Sequence, residues 1–284
     1  MSGVAAGWAP SPRELERQRV RRQLRLRGVL IATTVTVVVA VALALLITGS
    51  SGWPRVKETF FSWHHAKATI PDIAKGFWIN VKMFMLAEPL ILLLGGLVAI
   101  TRNTVSPWLT PARIVAVGYT DLFRGLPTLL VVMLIGFGVP ALALSGVPTS
   151  GFVLGTFALV LCYGAYVAEV IRAGIDSIHP SQVASAEALG LSRAQCTRYV
   201  VLPQAIRRVL PPLLNDFVSL QKDTSLVAVL GIFEGLFVAQ DYGNYHFNFT
   251  PFLVTGVFFV AVTVPLARLT DWLGRRALLR ERGR

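Results

Sequence analysis

Six ionisable side chains stand inside stretches that are otherwise apolar: Glu88, Glu169, Arg172, Asp216, Lys222 and Asp223. A charge at membrane depth is costly, and it is kept for a transport pathway, a coupling element or a structural ion pair. Asp216 and Asp223 are seven residues apart and share one face of a helix, which should look into a bundle and not at lipid. Lys222 and Asp223 are neighbours in sequence, point about 100° apart and need not pair. A buried ion pair of the aspartates with Arg172 or Arg124 is a plainer expectation than direct contact with a solute. Glu88 precedes Pro89, which should kink its helix; the glutamate either lines a cavity or satisfies polar groups at the break. No pattern predicts a catalytic residue: a P-loop, a metalloprotease helix and a nucleophile elbow are all missing from the sequence. The two cysteines, Cys162 and Cys196, have no metal-ligand spacing, so no metal site is expected.

The elements that must position these groups follow from composition. The 284 residues are 54% hydrophobic and only 15% charged, with a mean hydropathy of +0.62. A soluble domain carries about a quarter charged residues. Six runs are long and apolar enough to span a bilayer, near residues 29–48, 81–101, 127–144, 152–171, 213–239 and 252–269. The fold class is therefore an all-α polytopic membrane protein with six transmembrane helices. The formal charge of +12 sits in the tails and between these runs, which excludes a clustered nucleic-acid surface and fits the excess of Lys and Arg on cytoplasmic segments. Seven arginines between Arg13 and Arg27, and Arg275, Arg276, Arg280, Arg282 and Arg284 at the other end, place both termini in the cytoplasm. Residues 145–151 and 240–251 lack Lys and Arg and should lie outside, while 172–212 should lie inside. The count also puts 49–80 outside, although it carries Arg55, Lys57, Lys67 and Lys75. The run 29–48 is too long for a signal h-region and is followed by a poor cleavage site, so it is read as a retained span. The resulting division is a basic cytoplasmic tail 1–28, a first helix 29–48, an extracytoplasmic loop 49–76, a transmembrane domain 77–273 and a second basic tail 274–284.

The connection 172–212 is too long for a simple turn. His179-Pro180-Ser181 starts a helix, Gln182 to Leu189 continues it, and Gly190 stops it with positive φ. Ser192-Arg193-Ala194-Gln195 reads as a capping box opening a second short helix, which runs through Tyr199 and Val200 until Pro203 ends it. The small residues Ala184, Ser185, Ala186 and Ala188 suit close approach of another protein better than anchoring in lipid.

At these residues the chain resembles bacterial ABC importer permeases, whose loop reads Glu-Ala-Ala-x3-Gly-x9-Ile-x-Leu-Pro. Gly190 and Val200-Val201-Leu202-Pro203 keep the spacing, but Ala184 stands where the family has its glutamate. Glu187 lies three residues further on, and the sequence does not choose whether it stands in for that carboxylate. Residues 165–175, Leu202-Pro203-Gln204-Ala205, residues 210–215, Lys222-Asp223-Thr224-Ser225-Leu226 and Phe123-Arg124-Gly125-Leu126-Pro127 are similar to the polar amino acid (histidine/glutamine/glutamate-type) branch, a type I transmembrane domain. The resemblance covers residues 77–273 and implies a five-helix core, with 29–48 as an extra helix. It implies a coupling loop over about 181–203, carried by Ser181, Gln182, Ala184, Ser185, Ala186, Glu187, Gly190, Leu202 and Pro203. It further implies a non-catalytic permease subunit in the bacterial cytoplasmic membrane. Its partners would be an ATP-binding cassette ATPase holding ATP and Mg, an extracytoplasmic substrate-binding protein, a second copy or sister permease, and membrane lipid, with no nucleic acid. Its cargo would be a polar or charged amino acid. The alternatives are an importer of another small solute, or a passive channel or ion-coupled carrier using the Asp216–Asp223 region, which would have no need of the loop.

Overall fold

In a computed structural model, which describes residues 11–104 and 106–282, every regular element among the described residues is helical. Residues 1–10 and Arg284, both assigned above to basic tails, lie outside the described residues, as do the side chains of Arg275, Arg280 and Arg282. The chain divides between Glu58 and Thr59 into two units.

The first unit holds α1, Pro12–Thr48. Ser11 caps it by accepting a hydrogen bond from the Glu14 amide at 3.3 Å, and Pro12 occupies the first turn, where a missing donor costs nothing. The basic run and the apolar run are therefore one continuous helix, with the expected tail 1–28 helical from Pro12 onward. A second helix, α2, covers Trp53–Phe60.

The second unit begins with α3, Trp63–Asn103, 41 residues long. Here the expected loop 49–76 and the span starting at 81 are corrected. Thr69, Ile73, Gly76, Phe77, Asn80, Met83, Phe84, Ala87 and Ile91 form one buried face at intervals of one to four residues, and that face does not stop at residue 81. Polar residues on the opposite face, such as Lys67, Asp72 and Lys75, lower the mean hydropathy of this half and hide the helix from an apolar-run reading.

The expected span 127–144 is also revised. A helix absent from the sequence reading, α4 (Thr110–Gly125), precedes α5 (Thr128–Ala141), and the two are bent by 106°. Pro127 makes the corner: it forces Leu126 into the extended region, at φ −97° and ψ 141°. Next comes α6, Gly151–Asp176, the centre of the unit. Its Ala158, Leu159, Cys162, Tyr163 and Val167 pack with Met83, Ile91, Val132, Leu220 and Val227 in one buried cluster. Gly155 permits close packing, since a Cβ there would meet Val227 Cγ1 at 2.8 Å.

After two short helices, α7 (Pro180–Ala188) and α8 (Arg193–Cys196), α9 covers Leu202–Asp223, α10 covers Gly235–His246 and α11 covers Thr250–Arg282. The expected span 213–239 is thus not one helix. It is broken by a tight turn over Thr224–Leu230 and by Gly231 at φ +73°, with a 45° bend between its halves. Among the described residues, four helices are long and apolar enough to cross a membrane, or up to six if each bent pair forms one span.

Candidate functional site

The loop between α6 and α9 is a built knob. His179 caps α7, its ring nitrogen accepting from the Ser181 amide at 3.2 Å. At the other end the Leu191 amide bonds to Ala186 O at 3.2 Å and the Gly190 amide to Glu187 O at 2.9 Å. This double closure requires a left-handed residue, and Gly190 supplies it at φ +86°. Ser192 and Gln195 form the expected capping box, with bonds of 2.8 Å and 3.4 Å. Ile178, Ala186 and Cys196 are buried. Ser181, Gln182, Ala184, Ser185 and Glu187 are exposed, and Leu189 is 82% exposed beside Gly190. Glu187 lines a cleft with Arg193 and Asn103, whereas Ala184 lies elsewhere on the surface of α7.

Pro203 does not end the second helix. Residues Thr197–Val201 form one wide turn in which the Leu202 amide bonds back to Thr197 O, and α9 follows at once. A proline has no amide donor and its ring collides with the carbonyl four residues back. Widening the turn before it relieves both problems, so the chain passes from knob to membrane helix without a break. Leu202 and Pro203 are exposed at this junction. Arg208 donates to Ser177 Oγ at 2.9 Å and also to the Ser177 carbonyl, tying α9 to the end of α6. At Gly174 a Cβ would fall 2.1 Å from Val209 Cγ2, so the two helices touch there.

The intramembrane charges are partnered differently from the expectation. Among the described residues, Arg172 and Arg124 do not pair with Asp216 or Asp223; both pair with Glu169. Glu169 Oε2 accepts from Arg102 Nη1 at 2.8 Å, lies 3.4 Å from Arg124 Nη1 and accepts from Arg172 Nε at 3.2 Å. Arg172 reaches Asp176 as well, and Arg102 reaches Thr120 Oγ1 at 3.0 Å. One carboxylate thereby joins α3, α4 and α6. Arg102 and Arg124 lie in the last turns of α3 and α4, where the helix dipole favours cations. Arg102 was missed because it stands at the edge of an apolar run, where an arginine ordinarily meets water.

Asp223 accepts from the Tyr163 hydroxyl at 2.8 Å. Asp216 has one oxygen buried without a hydrogen-bond partner among the described residues, and Glu88 is half-buried. Lys222 is exposed on the second unit. The break after α9 is held by groups that no motif marked. Asn80 donates to Thr224 Oγ1 at 3.2 Å and accepts from the Gly235 amide at 3.0 Å. Glu234 is fully buried and caps α10, accepting from the Leu236 and Phe237 amides at 2.9 and 2.8 Å. Thr263 donates to Gln221 Oε1 at 2.6 Å. Irregular backbone at membrane depth survives only when its polar groups are met in this way.

A bundle of apolar helices that buries a polar break and projects a capped knob is the architecture of a polytopic membrane protein. Residues 91–278 match the family described as binding-protein-dependent transport system inner membrane component, and the chain belongs to it. It is a permease subunit, a multi-pass protein of the inner membrane. The chain is 34% identical over 222 residues to the glutamine transport system permease protein GlnP of Escherichia coli strain K12, covering 76% of this chain and 97% of that one. It is 31% identical over 198 residues to the arginine transport system permease protein ArtQ of Bacillus subtilis strain 168, covering 69% and 88%. Among solved structures, a chain of an amino acid ABC transporter with histidines aligns with a TM-score of 0.69 and 29% identity, over 76% of this chain and 98% of that one. A methionine ABC transporter chain at 17% identity and a TM-score of 0.57 shares the fold.

Proposed function

We propose that this permease imports an amino acid, and that a separate ATPase drives it through the knob over residues 181–203. The observation carrying the reading is mechanical. The knob is closed by Gly190 and the Ser192–Gln195 box, runs without interruption into α9, and is tied at its base to α6. A push on Ser181, Gln182, Ala184, Ser185 or Leu189 therefore reaches α6 and α9 together, and α9 ends at the break held by Asn80. The partner ATPase holds ATP and Mg, an extracytoplasmic binding protein delivers the solute, and a second copy or sister permease completes the pathway. Both termini are cytoplasmic, by the distribution of arginines. Shape takes the place of the missing carboxylate at Ala184, since Glu187 faces the cleft beside Arg193. The sequence likeness to glutamine and arginine permeases supports an amino acid cargo.

The test is Gly190→Pro. Proline cannot adopt φ +86°, so both closing bonds are lost. Uptake of labelled glutamine and arginine by cells relying on this chain should disappear, while the protein still inserts in the membrane at normal levels. Unchanged uptake would refute the coupling role, and uptake of neither amino acid by the wild-type chain would refute the cargo.

A further inference from the structure

The first half of α3 and the end of α10 enclose a cavity of about 480 Å³, remote in sequence from the knob. Its size is within the usual range for small-ligand sites, about 300–1,000 Å³. Asp72, Phe233, Asp241, Tyr242, Tyr245 and His246 line it. Its lining carries two carboxylates, Asp72 and Asp241, and one ammonium, Lys75. Asp72 pairs with Lys75 at 3.0 Å, whereas half-buried Asp241 makes no ion pair among the described residues. A carboxylate without an ion-pair partner attracts a cation. The carboxyl end of α10 adds to that field, since the carbonyl end of a helix is negative.

Three of the other lining side chains, Phe233, Tyr242 and Tyr245, are aromatic, and Tyr242 is held in place. Tyr242 is fixed by His65 Nδ1 at 2.9 Å and by the His246 ring stacked on it at 3.9 Å and 11°. Phe233 is 59% exposed and Tyr245 is 77% exposed. Aromatic faces around a carboxylate recognise an organic cation, because the ring quadrupole and the charge both favour it and the rings also bury its apolar stem. We propose that this cavity binds an ammonium or guanidinium group carried on an aliphatic stem. On the topology given above it opens on the outer face, so the cation comes either from a basic side chain of the extracytoplasmic binding protein or from a free organic cation. Only this outward placement rests on the importer reading; cation binding itself is measured without transport.

The experiment uses the full chain assembled with its ATPase in phosphatidylcholine nanodiscs, whose lipid carries no net charge. Agmatine, which bears both cationic groups on a short stem, is titrated calorimetrically. The wild type should bind it saturably. Asp241→Asn should weaken binding about ten-fold, the effect of removing a charged hydrogen-bond partner. Tyr245→Ala should weaken it several-fold, and Thr101→Ala, at the far end of α3, should leave it unchanged. Thermal melting checks that each variant is folded. No saturable binding by the wild type, or equal binding by folded Asp241→Asn, overturns the proposal. If Asp241→Asn and added agmatine both weaken docking of the binding protein, that protein supplies the cation. If docking is unaffected while agmatine binding still depends on Asp241, the ligand is a free organic cation.

Discussion

Replacing Glu169 by alanine removes the carboxylate that Arg102, Arg124 and Arg172 share. The cost depends on how much water each guanidinium recovers. Arg172 and Arg124 are 33% and 40% exposed, and pairs of that kind contribute only about 0–1 kcal/mol. Arg102 is 13% exposed and Glu169 is its only carboxylate among the described residues. Leaving such a charge without its partner costs about 3–5 kcal/mol when fully buried. With some water still reaching Arg102, the lower end applies, about 3 kcal/mol. For a chain of this size that lowers the melting temperature by about 6 °C. The assay is thermal unfolding of the purified chain in detergent, followed by circular dichroism, for Glu169→Ala, Arg102→Ala and the double variant. Residues that share a bond are non-additive by about 0.5–3 kcal/mol, so the double variant should lose less than the sum of the singles. Unchanged melting in Glu169→Ala, or strictly additive losses, would refute the idea that this carboxylate holds the three helices.

Gly174→Ala places a methyl 2.1 Å from Val209 Cγ2, so overpacking should cost about 1–3 kcal/mol, and Val209→Ala should restore most of it in the same melting assay. Asn80→Leu strands the Gly235 amide and should destabilise the chain by about 1–3 kcal/mol, seen as faster hydrogen exchange at residues 224–236. Gly190→Ala requires a left-handed alanine, costing about 1–2 kcal/mol, and should make the knob more sensitive to limited proteolysis; equal cleavage rates would contradict the Gly190 closure. Cysteines introduced at Ser145 and Ser11 test the proposed orientation: a membrane-impermeant maleimide added outside should label the first and not the second, since native Cys162 and Cys196 are buried.

The knob was the most legible part of the chain. Its stops and caps are local chemistry: the φ that Gly190 must adopt, the reciprocal bonds of Ser192 and Gln195 and the fixed ring of Pro180 depend on near neighbours alone. Pro203 was misjudged because the same ring that ends one helix can open the next, and the wide turn before it is a compromise between two elements. Apolar runs gave away α6 and α11. They concealed the first half of α3, whose outer face is polar, and α4, whose amphipathic pattern lacks a long apolar run. They also fused α9 and α10 into one span, because Val227, Leu230 and Ile232 keep the hydropathy high through a region where the backbone leaves the helix.

By itself, the sequence determined that the chain lives in a membrane, that its loops divide by charge and that a glycine-closed knob interrupts the spans. These follow from transfer free energies and backbone preferences, which are properties of single residues and short segments. Tertiary structure alone decided that Glu169 takes Arg102, Arg124 and Arg172 while Asp223 takes Tyr163. It also decided that Asn80, 144 residues away, meets Thr224 at the broken helix. Which charge meets which is set by where distant helices cross, and a buried carboxylate takes the donor that packing brings within about 3 Å, whatever its distance along the chain.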